Sequence, residues 1–226
     1  MKKPTIAILH GWGASSKSFL ETKQLLEDEG FDVKVPDLPG FNDKPLTKNP
    51  MTFEDYVSFV KDFIGKEPVI LLGHSFGGRI AIRVAREYPK LVNKLILTGA
   101  SGLVGPLTAK QKAVSVFAKT GKQLGLGVFR KSLYSFIGEW DYYLAGPLRE
   151  TFKNIYRVSI REDLVHITVP TLLVWGECDR AVPLADGKEI ESRIKSAKLI
   201  VVPGASHKLP YEMPHVFVEK ILPFLR

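Results

Sequence analysis

Ser75 has a glycine two residues away on either side, in the run Gly73-His74-Ser75-Phe76-Gly77-Gly78. The apolar stretch Pro68-Val69-Ile70-Leu71-Leu72 precedes it, and Ile80, Ala81, Val84, Ala85 and Tyr88 recur after it at helical spacing. The serine therefore falls where a buried strand turns directly into a helix. The glycines permit a sharp turn that lifts the hydroxyl clear, and the new helix aims free N–H groups and its positive dipole end at the same spot. A serine hydroxyl is a poor nucleophile until a base takes its proton, and that base must be oriented by a third group. His207, in Val202-Pro203-Gly204-Ala205-Ser206-His207, suits the first part, and Asp179, in Trp175-Gly176-Glu177-Cys178-Asp179, the second. Attack on a carbonyl builds negative charge on its oxygen, which needs donors already in position. His10-Gly11-Trp12-Gly13 offers the backbone N–H of Trp12, and the residue after the serine offers that of Phe76. His10 itself reads as structural, because it precedes the turn and His207 is better placed.

The elements that must position these groups alternate between strand and helix, which predicts an α/β fold with a mostly parallel, doubly wound sheet of about six strands. The expected strands are Thr5–Leu9, Asp32–Val35, Val69–Leu72, Leu95–Thr98, Thr171–Trp175 and Lys198–Val202, the last five apolar enough to be buried on both faces. Helices are expected around Phe19–Glu29, stopped by Gly30, and from a capping-box-like Thr52-Phe53-Glu54-Asp55 through Ile64. Two more are expected around Leu184–Ile194 and over Pro214–Leu225. Ser75, Asp179 and His207 would each follow the C-terminal end of a strand, the edge at which open α/β sheets bind ligands.

Residues 101–168 break the alternation, with no clear strand and frequent glycine, aromatic and basic residues. So long an excursion inside a compact domain is usually functional. It reads as a helical lid inserted after the fourth strand into a core made of 1–100 and 169–226. The segment holds ten Lys and Arg against five Asp and Glu, which either solvates its surface or attracts anionic substrates. Phe117, Phe129, Tyr134, Phe136, Trp140, Tyr142 and Tyr143 would supply its apolar underside. With 226 residues and ordinary hydrophobic and charged fractions, the chain fits one globular domain. No apolar run is long enough for a membrane span, and the first strand follows Met1 too closely for a signal segment, so a cytoplasmic protein is expected. The lone Cys178 excludes an intrachain disulfide and gives no metal-ligand cluster. The net charge of +8 is spread out rather than gathered in a basic run, which argues against nucleic acid.

Taken together, His10-Gly11-Trp12-Gly13, Pro36-Asp37-Leu38-Pro39-Gly40-Phe41, Gly73-His74-Ser75-Phe76-Gly77-Gly78, Trp175-Gly176-Glu177-Cys178-Asp179 and Gly204-Ala205-Ser206-His207 resemble, in order and spacing, the motif series of the α/β-hydrolase superfamily. The resemblance implies a Ser75–Asp179–His207 triad, a lid at the usual insertion point, and a sheet trimmed of the family's N-terminal antiparallel strand pair. A serine rather than an aspartate at the elbow argues against epoxide or haloalkane chemistry. A serine carboxylesterase acting on a small-molecule ester of short to medium acyl length is the leading expectation, with no cofactor and no metal. His74, Arg79, Phe129 and Trp140 are candidates for substrate contact. Gly77-Gly78-Arg79 looks like the sequence in lyases of menaquinone synthesis, which bind a polycarboxylate substrate through arginines, although those usually carry tyrosine where this chain has His74. The alternative is therefore a lyase or C–C hydrolase acting on an anionic substrate. Against that, Arg79, Arg83 and Arg86 also follow helical spacing as one outward basic face. A non-hydrolytic ligand sensor on the same fold is a third reading, and monomer and dimer both stay open.

Overall fold

A computed structural model describes residues 3–103, 146–156 and 158–226. Six strands, β1 (Thr5–Leu9), β2 (Asp32–Lys34), β3 (Val69–His74), β4 (Val92–Thr98), β5 (Thr171–Gly176) and β6 (Ala197–Val202), form one parallel sheet in the order β2-β1-β3-β4-β5-β6. Among the described residues the helices are α1 (Leu20–Asp28), α2 (Phe53–Ile64), α3 (Phe76–Glu87), α4 (Arg149–Tyr156), α5 (Leu184–Arg193), α6 (Leu209–Glu212) and α7 (Pro214–Leu225). The expected doubly wound, six-stranded α/β architecture is what the chain adopts.

Side chains alternate across a strand, so each central strand feeds two cores. Ala7 and Leu9 of β1, with Val69 and Leu71 of β3, join Tyr56, Val60, Ile80, Val84 and Ile190 from α2, α3 and α5. Ile6 and Ile8, with Ile70 and Leu72, face the other way onto Leu26, Phe217, Val218 and Ile221 from α1 and α7. Each such side chain removed from water contributes about 1.5–3 kcal/mol. The capping box at α2 is present: the Asp55 N–H donates to the Thr52 hydroxyl (3.3 Å) and the Thr52 N–H to the Asp55 carboxylate (2.6 Å).

The expectation that the last five strands are all buried on two sides needs correction. β3 and β5 are buried throughout, but β6 is the outer strand, and Lys198 and Val201 are exposed. β2 closes the other edge, with Lys34 exposed. An edge strand is flanked by one neighbour only, so its outer positions keep water contact whatever their composition. Of the segment expected as a lid, the described parts hold α4 and short 3₁₀ turns and no strand. α4 is tied to the loop before α2: the Met51 N–H donates to the Thr151 hydroxyl (3.1 Å) and the Asn154 side chain to the Met51 carbonyl (3.1 Å). Among the described residues no helix is long and apolar enough to cross a membrane.

Candidate active site

β1 connects towards β2 on one side, whereas β3 lies on its other side, so the chain's winding direction reverses between β1 and β3. Crevices at such reversals, beyond the C-terminal strand ends, are where this kind of sheet binds ligands. Ser75 follows β3 there, at φ 53° and ψ −114°. A conformation this far from the usual basins costs about 1–3 kcal/mol for a residue with a Cβ. Backbone bonds on both sides hold it in place. The Ser75 N–H donates to the Thr98 carbonyl (3.0 Å), and the Ser75 carbonyl accepts from Arg79 (3.1 Å) and Ser101 (3.2 Å).

The flanking glycines are required by close approach. A Cβ on Gly73 would lie 2.6 Å from the Gly78 backbone, and one on Gly77 2.2 Å from the Leu9 carbonyl oxygen. Strand and helix thus cross in contact, which brings the first turn of α3 against the end of β1. No side chain caps that turn, leaving its first N–H groups available.

His207 Nδ1 lies 2.8 Å from Asp179 Oδ2. The Asp179 side chain is 1% exposed and that of His207 20%. Asp179 Oδ1 accepts from the Ala181 (2.9 Å) and Val182 (2.8 Å) N–H groups, so the carboxylate is fixed at both oxygens. The two loops are joined through backbone bonds, Cys178 N–H to the Ala205 carbonyl (2.9 Å) and Glu177 N–H to the Val202 carbonyl (3.0 Å). With Nδ1 engaged by the carboxylate, Nε2 is the nitrogen left for chemistry. The pair lies over Gly99, where a Cβ would fall 2.8 Å from the imidazole and 3.2 Å from the carboxylate. Gly99 was missed in the sequence, although the small-residue run Gly99-Ala100-Ser101-Gly102 directly after β4 is a legible sign of close approach.

His10 is fully buried; it donates through Nδ1 to the Gly11 carbonyl (2.8 Å) and accepts at Nε2 from the Leu38 N–H (2.9 Å). One donor and one acceptor require a neutral ring, and burial pushes its pKa down accordingly. The C=O and N–H of one peptide point in opposite directions. Holding the Gly11 carbonyl therefore also sets the Trp12 N–H. The Trp12 ring meets Phe41 (4.9 Å), Phe76 (5.6 Å) and Phe152 of α4 (5.1 Å) edge to face, an apolar wall beside the elbow.

Two substrate-contact candidates sit elsewhere than expected. His74 is 3% exposed and bonds the His207 carbonyl and the Tyr211 hydroxyl, because adjacent strand residues point to opposite faces and Ser75 occupies the open one. Arg79 is not on an outward basic face with Arg83 and Arg86; it is 8% exposed. Its guanidinium donates to the Ile155 carbonyl (2.8 Å), the Ser101 carbonyl (3.4 Å) and the Ser101 hydroxyl (3.3 Å). Burial lowers its pKa to about 10. Arg83 and Arg86 instead bind the two oxygens of buried Asp163 (2.8 and 2.9 Å). Phe129 and Trp140 lie outside the described residues. Among the described residues no group of His, Cys, Asp and Glu is arranged to hold a metal ion.

Residues 6–220 match the model of the alpha/beta hydrolase family. Among relatives, the chain is 27% identical to the uncharacterized hydrolase YugF of Bacillus subtilis, over 99% of this chain and 90% of that one. It is 25% identical to a 2-hydroxy-6-oxononadienedioate/2-hydroxy-6-oxononatrienedioate hydrolase of a Pseudomonas species (97% and 87%). It is 24% identical to the pimeloyl-[acyl-carrier protein] methyl ester esterase of Aeromonas hydrophila (98% and 95%). Among solved structures, a bacterial membrane phospholipase A superposes with a TM-score of 0.76 at 23% identity, over 99% of this chain and 78% of that one. Matched along nearly its whole length, with a parallel sheet that reverses its winding beside a strained serine, the chain belongs to the alpha/beta hydrolase family.

Proposed function

We propose that this hydrolase cleaves carboxylic esters of short to medium acyl length through an acyl-enzyme on Ser75. The observation that carries the reading is His207 bonded to the buried Asp179, 2.8 Å away, on loops that follow β6 and β5 beside the strained Ser75 turn. His207 Nε2 takes the Ser75 proton as Oγ attacks the ester carbonyl, and the carbonyl π pair moves onto oxygen. The N–H groups of Trp12 and Phe76 receive that oxyanion, each worth about 2.7–4 kcal/mol of barrier. Collapse expels the alkoxide, which takes the proton from His207. Water, deprotonated by the same nitrogen, then attacks the acyl-enzyme, releasing the acid and returning the proton to Ser75. Asp179 stays ionised throughout and holds the imidazole tautomer. The wall of Trp12, Phe41, Phe76 and Phe152 suits an apolar acyl or alcohol group, and the segment 101–168 acts as its lid.

The test is steady-state hydrolysis of p-nitrophenyl esters from acetate to decanoate, with Ser75→Ala alongside. Turnover of the shorter esters that vanishes in the variant is expected; turnover no greater than the variant's refutes the esterase reading. One observation favours a second reading, a C–C hydrolase or lyase acting on an anionic substrate. Arg79 is a buried cation bonded only to carbonyl and hydroxyl oxygens among the described residues. Its three bonds join the β4 exit to α4, which suits a brace. Arg79→Ala decides: equal losses on neutral and carboxylate-bearing substrates mean a brace, and loss confined to the carboxylate-bearing substrate means an anion subsite.

A further inference from the structure

Buried His74 and partly buried Tyr211 are polar groups that the proposed chemistry does not use. Residues lacking any polar atom would pack against Phe19, whose ring meets Tyr211 at 4.9 Å, so packing alone does not explain them. Their atoms do form a connected path. His74 Nε2 lies 2.9 Å from the His207 carbonyl oxygen. A carbonyl only accepts, so Nε2 carries the proton and Nδ1 is bare. Nδ1 then accepts from the Tyr211 hydroxyl, 2.5 Å away. Burial, with the His207 ring as the next cause, pushes the His74 pKa down to about 3, so the ring stays neutral at any working pH.

We propose that Tyr211 and His74 are positioning residues: one hydrogen-bonded bridge, Tyr211 to His74 to His207 C=O, sets the nucleophile elbow and the base loop relative to one another. The inference rests on the esterase mechanism above. Asp179 holds the His207 ring from one side. His74 holds the His207 main chain from the other, and Tyr211 fixes the His74 ring. Without the Tyr211 hydroxyl, the His207 carbonyl alone holds the His74 ring, and Nδ1 loses its partner.

The test compares the full-length wild type with Tyr211→Phe, His74→Leu, His74→Gln and the Tyr211→Phe/His74→Leu double variant. Hydrolysis of p-nitrophenyl butyrate gives kcat and KM, and diethyl p-nitrophenyl phosphate gives the rate constant and the fraction of Ser75 phosphorylated, read by intact mass. Tyr211→Phe removes one oxygen and keeps the ring packed, so it should stay folded. A positioning role predicts a kcat and a phosphorylation rate constant about 10- to 100-fold lower, the scale on which small misplacements act, with KM within twofold. The double variant should be no slower than the slower single one. His74→Gln, which keeps an amide donor, should be faster than His74→Leu. A merely structural role would lower the reactive fraction and leave the rate constant unchanged, which overturns the proposal. So do single effects that multiply in the double variant. If wild-type Ser75 is not phosphorylated at all, the esterase mechanism falls and the bridge with it; if it is, and Tyr211→Phe reacts within twofold, the bridge alone falls.

Discussion

Replacing Asp179 by Asn tests the triad assignment at its most sensitive atom, because the structure decides which way the amide must face. Asp179 Oδ1 accepts two backbone N–H groups, from Ala181 and Val182, while Oδ2 faces the single His207 Nδ1. An asparagine that turned its NH₂ towards Ala181 and Val182 would lose both bonds and set donor against donor, each buried loss costing about 1–3 kcal/mol. The amide oxygen therefore stays on the backbone pair, and the NH₂ faces His207. Nδ1 must then accept, which moves the imidazole proton to Nε2, the nitrogen that should receive the proton of Ser75. Volume and packing barely change, so the fold and KM should persist while kcat collapses. The wrong tautomer costs on the order of 10⁴-fold, or about 5 kcal/mol of barrier. Steady-state kinetics on p-nitrophenyl butyrate, with a thermal melt to confirm folding, would measure it. A folded variant that retains more than about one hundredth of wild-type kcat would refute the assignment of Asp179 as the orienting acid.

Two further outcomes are expected. Asp163→Asn should cost about 2–3 kcal/mol in urea unfolding, since it leaves Arg83 and Arg86 facing a neutral amide, with Arg86's partial exposure softening the usual penalty for breaking a buried pair; a change under about 0.5 kcal/mol would show that the cluster contributes nothing. Burial, with the nearby His207 as the second cause, lowers the His74 pKa from 6.5 to about 3, so between those values the unfolded chain binds a proton that the native one does not. Stability that is complete above pH 6.5 is therefore lost as the pH falls towards 3, by about 1.4 kcal/mol per unit from this one group. Urea unfolding at pH 7.5, 5.5 and 4.5 should show a shallower acid slope in His74→Leu, and parallel slopes would sink the assignment.

Much of this was legible because the motifs sit at strand ends, and strand ends are where a hydrophobic run meets glycine. Strand and motif together told which edge of the sheet Ser75, Asp179 and His207 would share. What stayed hidden depends on contacts between distant segments. Composition made β6 look like a central strand, since its residues are apolar whether or not a seventh strand lies beside them; only the strand order makes it an edge. Arg79, Arg83 and Arg86 share one helical stripe, but the Ile155 carbonyl of α4 and the Ser101 loop cover the first, while Asp163 meets the other two. Helical periodicity carries no information about what packs over a given turn. Tyr211 lies in the short helix after His207 with no pattern around it, and its partner His74 is far off in sequence. His74 was partly readable: beside a residue that must face the crevice, strand alternation turns its side chain the other way.

The elbow explains why such long-range bonds collect here. Ser75 holds an unfavourable conformation only because Thr98, Arg79 and Ser101 take up its backbone groups, and Gly73, Gly77 and Gly78 let β1, β3 and α3 touch. That packing leaves no slack around the serine, so the proposed nucleophile is fixed by steric contact. His207 is confined less closely: its ring rests over Gly99, but its main chain sits in a loop after an edge strand. In the proposed mechanism, a base that must meet a rigid nucleophile within a few tenths of an ångström needs restraints beyond the packing available at an edge, and directional hydrogen bonds supply them. Asp179 on the ring, Ala205 bonded to Cys178, and His74 on the main chain restrain the loop from three directions. The difference in how the two residues are held follows from where their strands lie in the sheet.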